Sequence, residues 1–394
     1  MKQLKVLTAF ISTVIIMVSC QKQADLIPPK SETAKLDGVS EASINRPGNQ
    51  EESFEDGGKH VYTLSNQVSA NTVMDYQRAS NGTLTFFASY PTGGTGTGGG
   101  LGNQGAIAMD KEGGMLLAVN PGSNSISLFN IKENGLTLKS TVSSGGMRPV
   151  SITMENDIVY VLNAGGTGNI SGFKLDNNML TSIANSTRPL SSAASAAAQV
   201  SFVNEGKVLV VTERATNKII TYTVNEWGLP GIMHSINSST ATPFGFDAGK
   251  NGNIFVSEAA GGAAGASKLS SYHVNNNGSI SLLTGSVGAN QSAACWVVIT
   301  NNGKYAYTTN TASNNLSNFG INKNTGAINV NTAIAATTGM GPIDAALSNN
   351  SKYLYILNSG SHSIGVYQVD NNGSLSNVQT VSGVPAGATG LAAE

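Results

Sequence analysis

The segment VYVLNAGGTGNISGFKLDNNMLT (residues 159–181) decides the fold. It opens with a short apolar strand ending in Asn163 and passes through a polar, Gly-rich turn. It continues as a second strand centred on Phe173, then turns again before a third apolar stretch. The same unit recurs along the chain. Its first strand reads YTLSN (62–66), LLAVN (116–120), VYVLN (159–163), LVVTE (209–213), IFVSE (254–258), AYTTN (306–310) and LYILN (354–358). The Asn or Glu ends are 54, 43, 50, 45, 52 and 48 residues apart. An aromatic follows each: Tyr76, Phe129, Phe173, Tyr222, Tyr272, Phe319 and Tyr367. Only Tyr272 is displaced, by the insert AAGGAAGAS (259–267). Hairpin signals such as Asn276-Asn277-Gly278 and Asn371-Asn372-Gly373 come next. Seven repeats of four short strands predict an all-β, seven-bladed β-propeller.

Closure of the ring is also readable. The first repeat starts at its second strand, because residues 58–60 leave no room for an inner one. The C-terminal GATGLAA (387–393) matches GPIDAAL (341–347), which begins the seventh repeat. The tail is therefore expected to supply the inner strand of the first blade and leave no free edge.

Composition agrees with this reading. The 394 residues include 46 Gly and 42 Asn, concentrated at turns, and only 11% are charged, with a net charge of -1. So few charges exclude the basic footprint of a nucleic-acid binder. The charge is unevenly placed. Residues 1–20, MKQLKVLTAFISTVIIMVSC, carry Lys2 and Lys5 before an apolar run that ends at Ser19-Cys20, the layout of a secretion signal. The segment is similar to a bacterial lipoprotein signal, which implies lipidation of Cys20 and a protein anchored in the cell envelope, periplasmic or surface-facing, with lipid as its only membrane contact. Residues 21–57 hold eight acids and four bases with little apolar content, and read as a flexible acidic tether. Residues 58–394 form the propeller, expected to be a monomer without cofactor or metal.

The blade motif and its cognates resemble the seven-bladed lactonase family, which includes bacterial 6-phosphogluconolactonases and fungal carboxymuconate-lactonising enzymes. The resemblance covers roughly residues 59–394. It implies action on a small lactone or sugar-acid ring, by hydrolysis or cycloisomerisation, at the central channel. In that family a His often opens an inner strand facing the channel. The aligned positions here hold Pro149, Gln199, Phe244, Trp296 and Asp344, with Ala106 and Gly390, and none is His.

One face of the propeller, carrying the second-to-third loops and the blade connections, collects the unusual residues. Glu213 and Glu258 replace the Asn of the other five repeats and are the candidate catalytic carboxylates, one acting as general base. The competing reading is that Glu213, with Arg214, and Glu258 form structural ion pairs that cap the blades. Arg148 and Arg188 are expected to hold a ligand anion. Gln199, Arg214, Trp296 and Asp344 complete the candidate ligand-binding set, for a small-molecule or carbohydrate ligand. Cys295 reads as a buried core residue, and His362 as a solvated loop residue. The Gly-rich stretch 93–102 lacks the Lys-Ser/Thr and helix of a phosphate loop and reads as a mobile connection. The alternative to an enzyme is a non-catalytic exported propeller that binds a ligand, glycan or protein on this same face.

Overall fold

A computed structural model describes residues 59–394; the proposed signal, Cys20 and the whole of the tether lie outside the described residues. Seven antiparallel sheets form the blades of a propeller. In blade 1 the order from the channel outward is Thr389–Ala393, Lys59–Leu64, Thr72–Arg78, Leu84–Pro91. The C-terminal strand thus completes the first blade, as its sequence match to residues 341–347 indicates. Val61 pairs with Ala393, Tyr62 with Ala392 and Thr63 with Leu391. The Thr63 hydroxyl donates to the Gly390 carbonyl at 2.7 Å, and the Glu394 N–H donates to the His60 carbonyl at 3.0 Å. Blade 3 departs from the pattern, because Met179–Ser182 and Arg188–Pro189 share the outer position against Asn169–Asp176.

The repeated aromatics fall where the pattern puts them, on the third strand of every blade, and all seven are buried. Apolar clusters join neighbouring blades, so each blade buries surface it cannot bury alone. Hairpin glycines make a second kind of joint. The Tyr160, Tyr307 and Tyr355 hydroxyls on second strands each donate to a hairpin glycine carbonyl of the next blade: Gly228 at 2.6 Å, Gly373 at 2.8 Å and Gly82 at 3.3 Å.

The inner strands present an unpaired edge to the channel, and buried backbone groups there need partners. Side chains of the preceding blade supply them. The Ser151 hydroxyl accepts from the Val200 N–H at 3.1 Å. Gln199 both accepts from the Phe246 N–H at 2.7 Å and donates to the Phe246 carbonyl at 2.9 Å. An Asp247 oxygen accepts from the Ile299 N–H at 2.8 Å. Bulges in these strands shift the register, so that Ser151 rather than Pro149, and Gly245 rather than Phe244, stand level with Gln199.

The Gly-rich connection behaves differently from its composition. Residues 92–106 are more than twice as long as any other blade connection; Gly93, Thr97, Gly98 and Gly100 are exposed, and the far end packs into the ring. Leu101 and Asn103 are buried, as is Gln104. Gly96 needs its bareness: a Cβ there would lie 2.1 Å from the Asn66 carbonyl carbon. The expected mobile connection becomes a plug at its end, where residues 101–105 are held by hydrogen bonds and close packing.

Candidate functional site

The plug crosses the centre of the propeller. Gln104 takes both edge groups of Val297 in blade 6, donating to its carbonyl at 2.9 Å and accepting from its N–H at 3.2 Å. This is the bidentate pattern that Gln199 makes with Phe246. The residue of blade 5 level with Gln199 is Gly245, and a Cβ on Gly245 would lie 2.1 Å from the Gln104 Oε1 atom. Gln104 thus fills the place of a side chain that blade 5 lacks. Its N–H also donates to the Ala198 carbonyl of blade 4 at 3.1 Å. Asn103 donates to the Val150 carbonyl of blade 3, and its own carbonyl accepts from the Trp296 indole N–H at 2.6 Å.

Above the plug, on the connection face, stand two arginines. Arg214 follows the second strand of blade 4. Its Nε donates to the Ala196 carbonyl at 3.0 Å, and its guanidinium lies 4.8 Å from the centroid of the Phe244 ring. Gly102 of the plug comes against the same group: a Cβ there would be 3.1 Å from a guanidinium nitrogen. Burial, together with the charge of nearby Arg148, lowers the Arg214 pKa to about 10. Arg148 opens the inner strand of blade 3 with φ +53°, and its N–H donates to Asn124 Oδ1 at 2.7 Å. Among the described residues no carboxylate forms an ion pair with either arginine. Two half-buried cations without a counter-charge among the described residues make a positively biased mouth.

The other candidates have different placements. Arg188 does not join Arg148. Its guanidinium donates to the Asn185 and Thr187 carbonyls at 2.9 and 3.0 Å, and to the Pro230 carbonyl on the outer strand of blade 4 at 2.5 Å. Arg148 is instead near enough to Arg214 for its charge to help lower the Arg214 pKa. Glu213 is fully buried and accepts from the Ser191 N–H at 2.8 Å and from the Ser191 and Thr216 hydroxyls. Glu258 is fully buried and accepts from Ser238 at 2.6 Å, Ser270 at 2.8 Å and Tyr272 at 3.0 Å. Such carboxylates clasp loops and strands, and neither is open to a water molecule from the mouth; the geometry does not suit the general-base role expected for them. Nor do they form the capping ion pairs weighed against that role, because every partner is a hydroxyl or a backbone N–H.

Gln199 is engaged along the channel edge, as described. Asp344 is buried on the inner strand of blade 7. One oxygen accepts from the Ala345 N–H at 2.8 Å, and among the described residues the other makes no full hydrogen bond. Burial raises its pKa well above the usual carboxylate value, against the lowering effect of the Ala345 and Gly390 N–H groups. Trp296 is buried with its ring centroid 5.1 Å from that of Phe244, so it packs beneath the mouth and steadies the plug. His362 is exposed, and among the described residues no His, Cys, Asp and Glu side chains converge as a metal site.

Asn103, Gln104 and Gly102 were missed by sequence reasoning. The available signal was the length of the connection, together with an apolar residue and two amides (Leu101, Asn103, Gln104) at its end.

These features define a closed seven-bladed propeller with a plugged channel and a basic mouth. The lactonase, 7-bladed β-propeller family matches residues 48–187 and 262–394, and the chain belongs to that family. The unmatched interval contains Arg188, Gln199, Glu213, Arg214, Phe244 and Glu258. Similar solved structures include a Lactobacillus plantarum protein at 15% identity and TM-score 0.68, covering 86% of this chain and 99% of that one. A candidate 6-phosphogluconolactonase of Bacteroides uniformis has 16% identity and TM-score 0.67, covering 84% and 99%. The periplasmic gluconolactonase of Pseudomonas aeruginosa has 14% identity and TM-score 0.62, covering 84% and 98%. No curated protein sequence matches the chain.

Proposed function

We propose that the protein recognises a small lactone, or the sugar acid formed by opening it, at the channel mouth, and interconverts the two there. The observation that carries this reading is that, among the described residues, neither Arg148 nor Arg214 has a carboxylate partner. A ligand carboxylate supplies the missing charge, and a guanidinium can grip it through two hydrogen bonds. The same N–H groups are suited to an oxyanion that develops as a cyclic ester opens. Family membership supports the reaction type.

A second reading is binding without turnover. It is favoured by the full engagement of Glu213 and Glu258, which leaves the mouth without an evident base to activate water. Release of acid from a panel of aldonolactones, measured beside calorimetric titration with the corresponding acids, separates the two. Turnover that falls in Arg148→Gln and Arg214→Gln supports the first reading, and binding alone supports the second. Neither turnover nor binding would remove both.

We also infer an exported protein anchored through Cys20, on the strength of the lysines, apolar run and terminal Ser-Cys of residues 1–20. A Cys20→Ser protein that stays with the membrane fraction would refute this.

A further inference from the structure

The plug does more than fill space, because it touches the anion-binding group directly. Its last residues are tied to several blades: Asn103 to Val150 and Trp296, and Gln104 to Ala198 and Val297. These ties fix Gly102 next door. Gly102 has φ +63°, and its missing side chain lets the backbone come against the guanidinium of Arg214. Arg214 is thereby enclosed, with the Phe244 ring, the Ala196 carbonyl and the plug each taking one side. A ligand oxygen has only the solvent side left to approach from. Leu101 and Asn103 are 3% and 2% exposed, so this stretch is packed among the inner strands that it crosses.

We infer that residues 101–105 form the floor of the anion site, and that Gln104 and Asn103 are positioning residues restricting the ligand to a compact, single-ring acid or lactone. This rests on the proposed anion-binding role of the mouth. An open channel of this architecture would admit a chain of linked sugar acids lengthwise. The channel crossed by the bonds of Asn103 and Gln104 does not admit such a chain. Selection by length is then set by the floor and not by the arginines, which grip any carboxylate alike.

Trp296 provides a reporter that does not depend on ligand. Its indole donates to the Asn103 carbonyl and is 2% exposed, whereas the other tryptophan, Trp227, is 67% exposed. In full-length Trp227→Phe protein, Trp296 fluorescence is expected to resist acrylamide quenching. Adding Gln104→Ala is expected to increase quenching severalfold, and Asn103→Ala, a milder change, should do so in part. Calorimetry on the same proteins with gluconate and with a trimeric oligogalacturonate reads the selectivity. The preference for the monomeric acid should fall by about tenfold or more in Gln104→Ala, the worth of roughly one strong hydrogen bond. If acids bind but the two ligands are discriminated equally in parent and Gln104→Ala proteins, or if Trp296 is freely quenched in the parent, the floor assignment is wrong while the anion site stands. If no acid binds a parent protein whose Trp296 is shielded, the anion-site reading fails and the ligand restriction fails with it.

Discussion

The hydroxyl of Tyr307 in blade 6 donates to the carbonyl of Gly373 in blade 7 at 2.8 Å, joining a buried second strand to the next blade's hairpin. The Asn318 amide donates to the same carbonyl. Gly373 holds φ +82°, and a Cβ there would lie 2.7 Å from Asn318 Nδ2 and 2.8 Å from the Tyr305 ring. Gly373→Ala therefore carries both backbone strain and a collision inside the joint. A loss of about 2–4 kcal/mol in urea unfolding is expected. Gly383 is the control, with φ +89° and open space around it, so Gly383→Ala should cost only about 1 kcal/mol. Equal losses would mean that the joint contributes nothing beyond backbone conformation.

A second relationship ties the first blade to the chain end. His60 Nδ1 and Asp75 Oδ1 are 2.6 Å apart and buried; Tyr62 stacks on the imidazole and Phe87 meets it edge-on. Burial lowers the His60 pKa, but the Asp75 hydrogen bond and the charges of Asp75 and Glu394 outweigh it, and the net shift is upward. Glu394 in turn is raised by burial, against the lowering pull of His60 and Lys59. A histidine with a raised folded-state pKa takes up its proton on folding. Its contribution is complete below about 6.5 and is lost as pH rises through the folded value. His60→Gln should therefore cost about 3 kcal/mol near pH 6 and distinctly less near pH 8. Urea midpoints for both proteins at the two pH values give the difference. A cost independent of pH would show that the imidazole is neutral in the fold.

Glu213 and Glu258 show how much could be read from sequence. Their departure from the Asn pattern is visible because the repeat is strict, and the repeat is strict because every blade must bury the same strand positions. What the departure means is not visible, since Asn and Glu at a strand end both collect hydrogen bonds, and the donors come from elsewhere. Glu258 is held by Ser238 on the blade connection and by Ser270 and Tyr272 on the third strand. The plug escaped for a related reason. A Gly-rich segment has the same composition whether solvated or packed, and Gln104 finds its partner Val297 at a separation of 193 residues. The nearness of Arg148 to Arg214 is likewise set by blade geometry, whereas Arg188 turns outward to Pro230.

The carboxylate of Glu258 receives only donors, so Glu258→Gln places an amide N–H₂ group among hydroxyls already oriented to donate. A loss of about 1–3 kcal/mol is expected, with a lower Tm. Glu213→Gln should behave similarly, because Ser191 and Thr216 donate to it. Lactone turnover lost at an unchanged Tm would instead return these carboxylates to the chemistry.

Ring closure makes the last residues matter to every blade. Thr389–Ala393 are all buried, and Leu391 and Ala393 share an apolar cluster with Tyr355 and Leu357 of blade 7. Deleting residues 385–394 would leave the edge of Lys59–Leu64 unpaired and open the seam between blades 1 and 7. Burial of Leu391 alone is worth about 1.5–3 kcal/mol, and the lost ladder and alanines add to it, so a total loss of about 5 kcal/mol or more is expected. The two tryptophans test whether that loss is shared. Trp227 sits in the outer hairpin of blade 4 and Trp296 in the inner strand of blade 6, both outside the blade that loses its inner strand. Single-tryptophan proteins lacking the tail should unfold at lower urea through both probes, with coincident midpoints. If Trp227 and Trp296 keep their full-length midpoints while only far-ultraviolet signal is lost, the C-terminal strand is an appendage and not the closure of the ring.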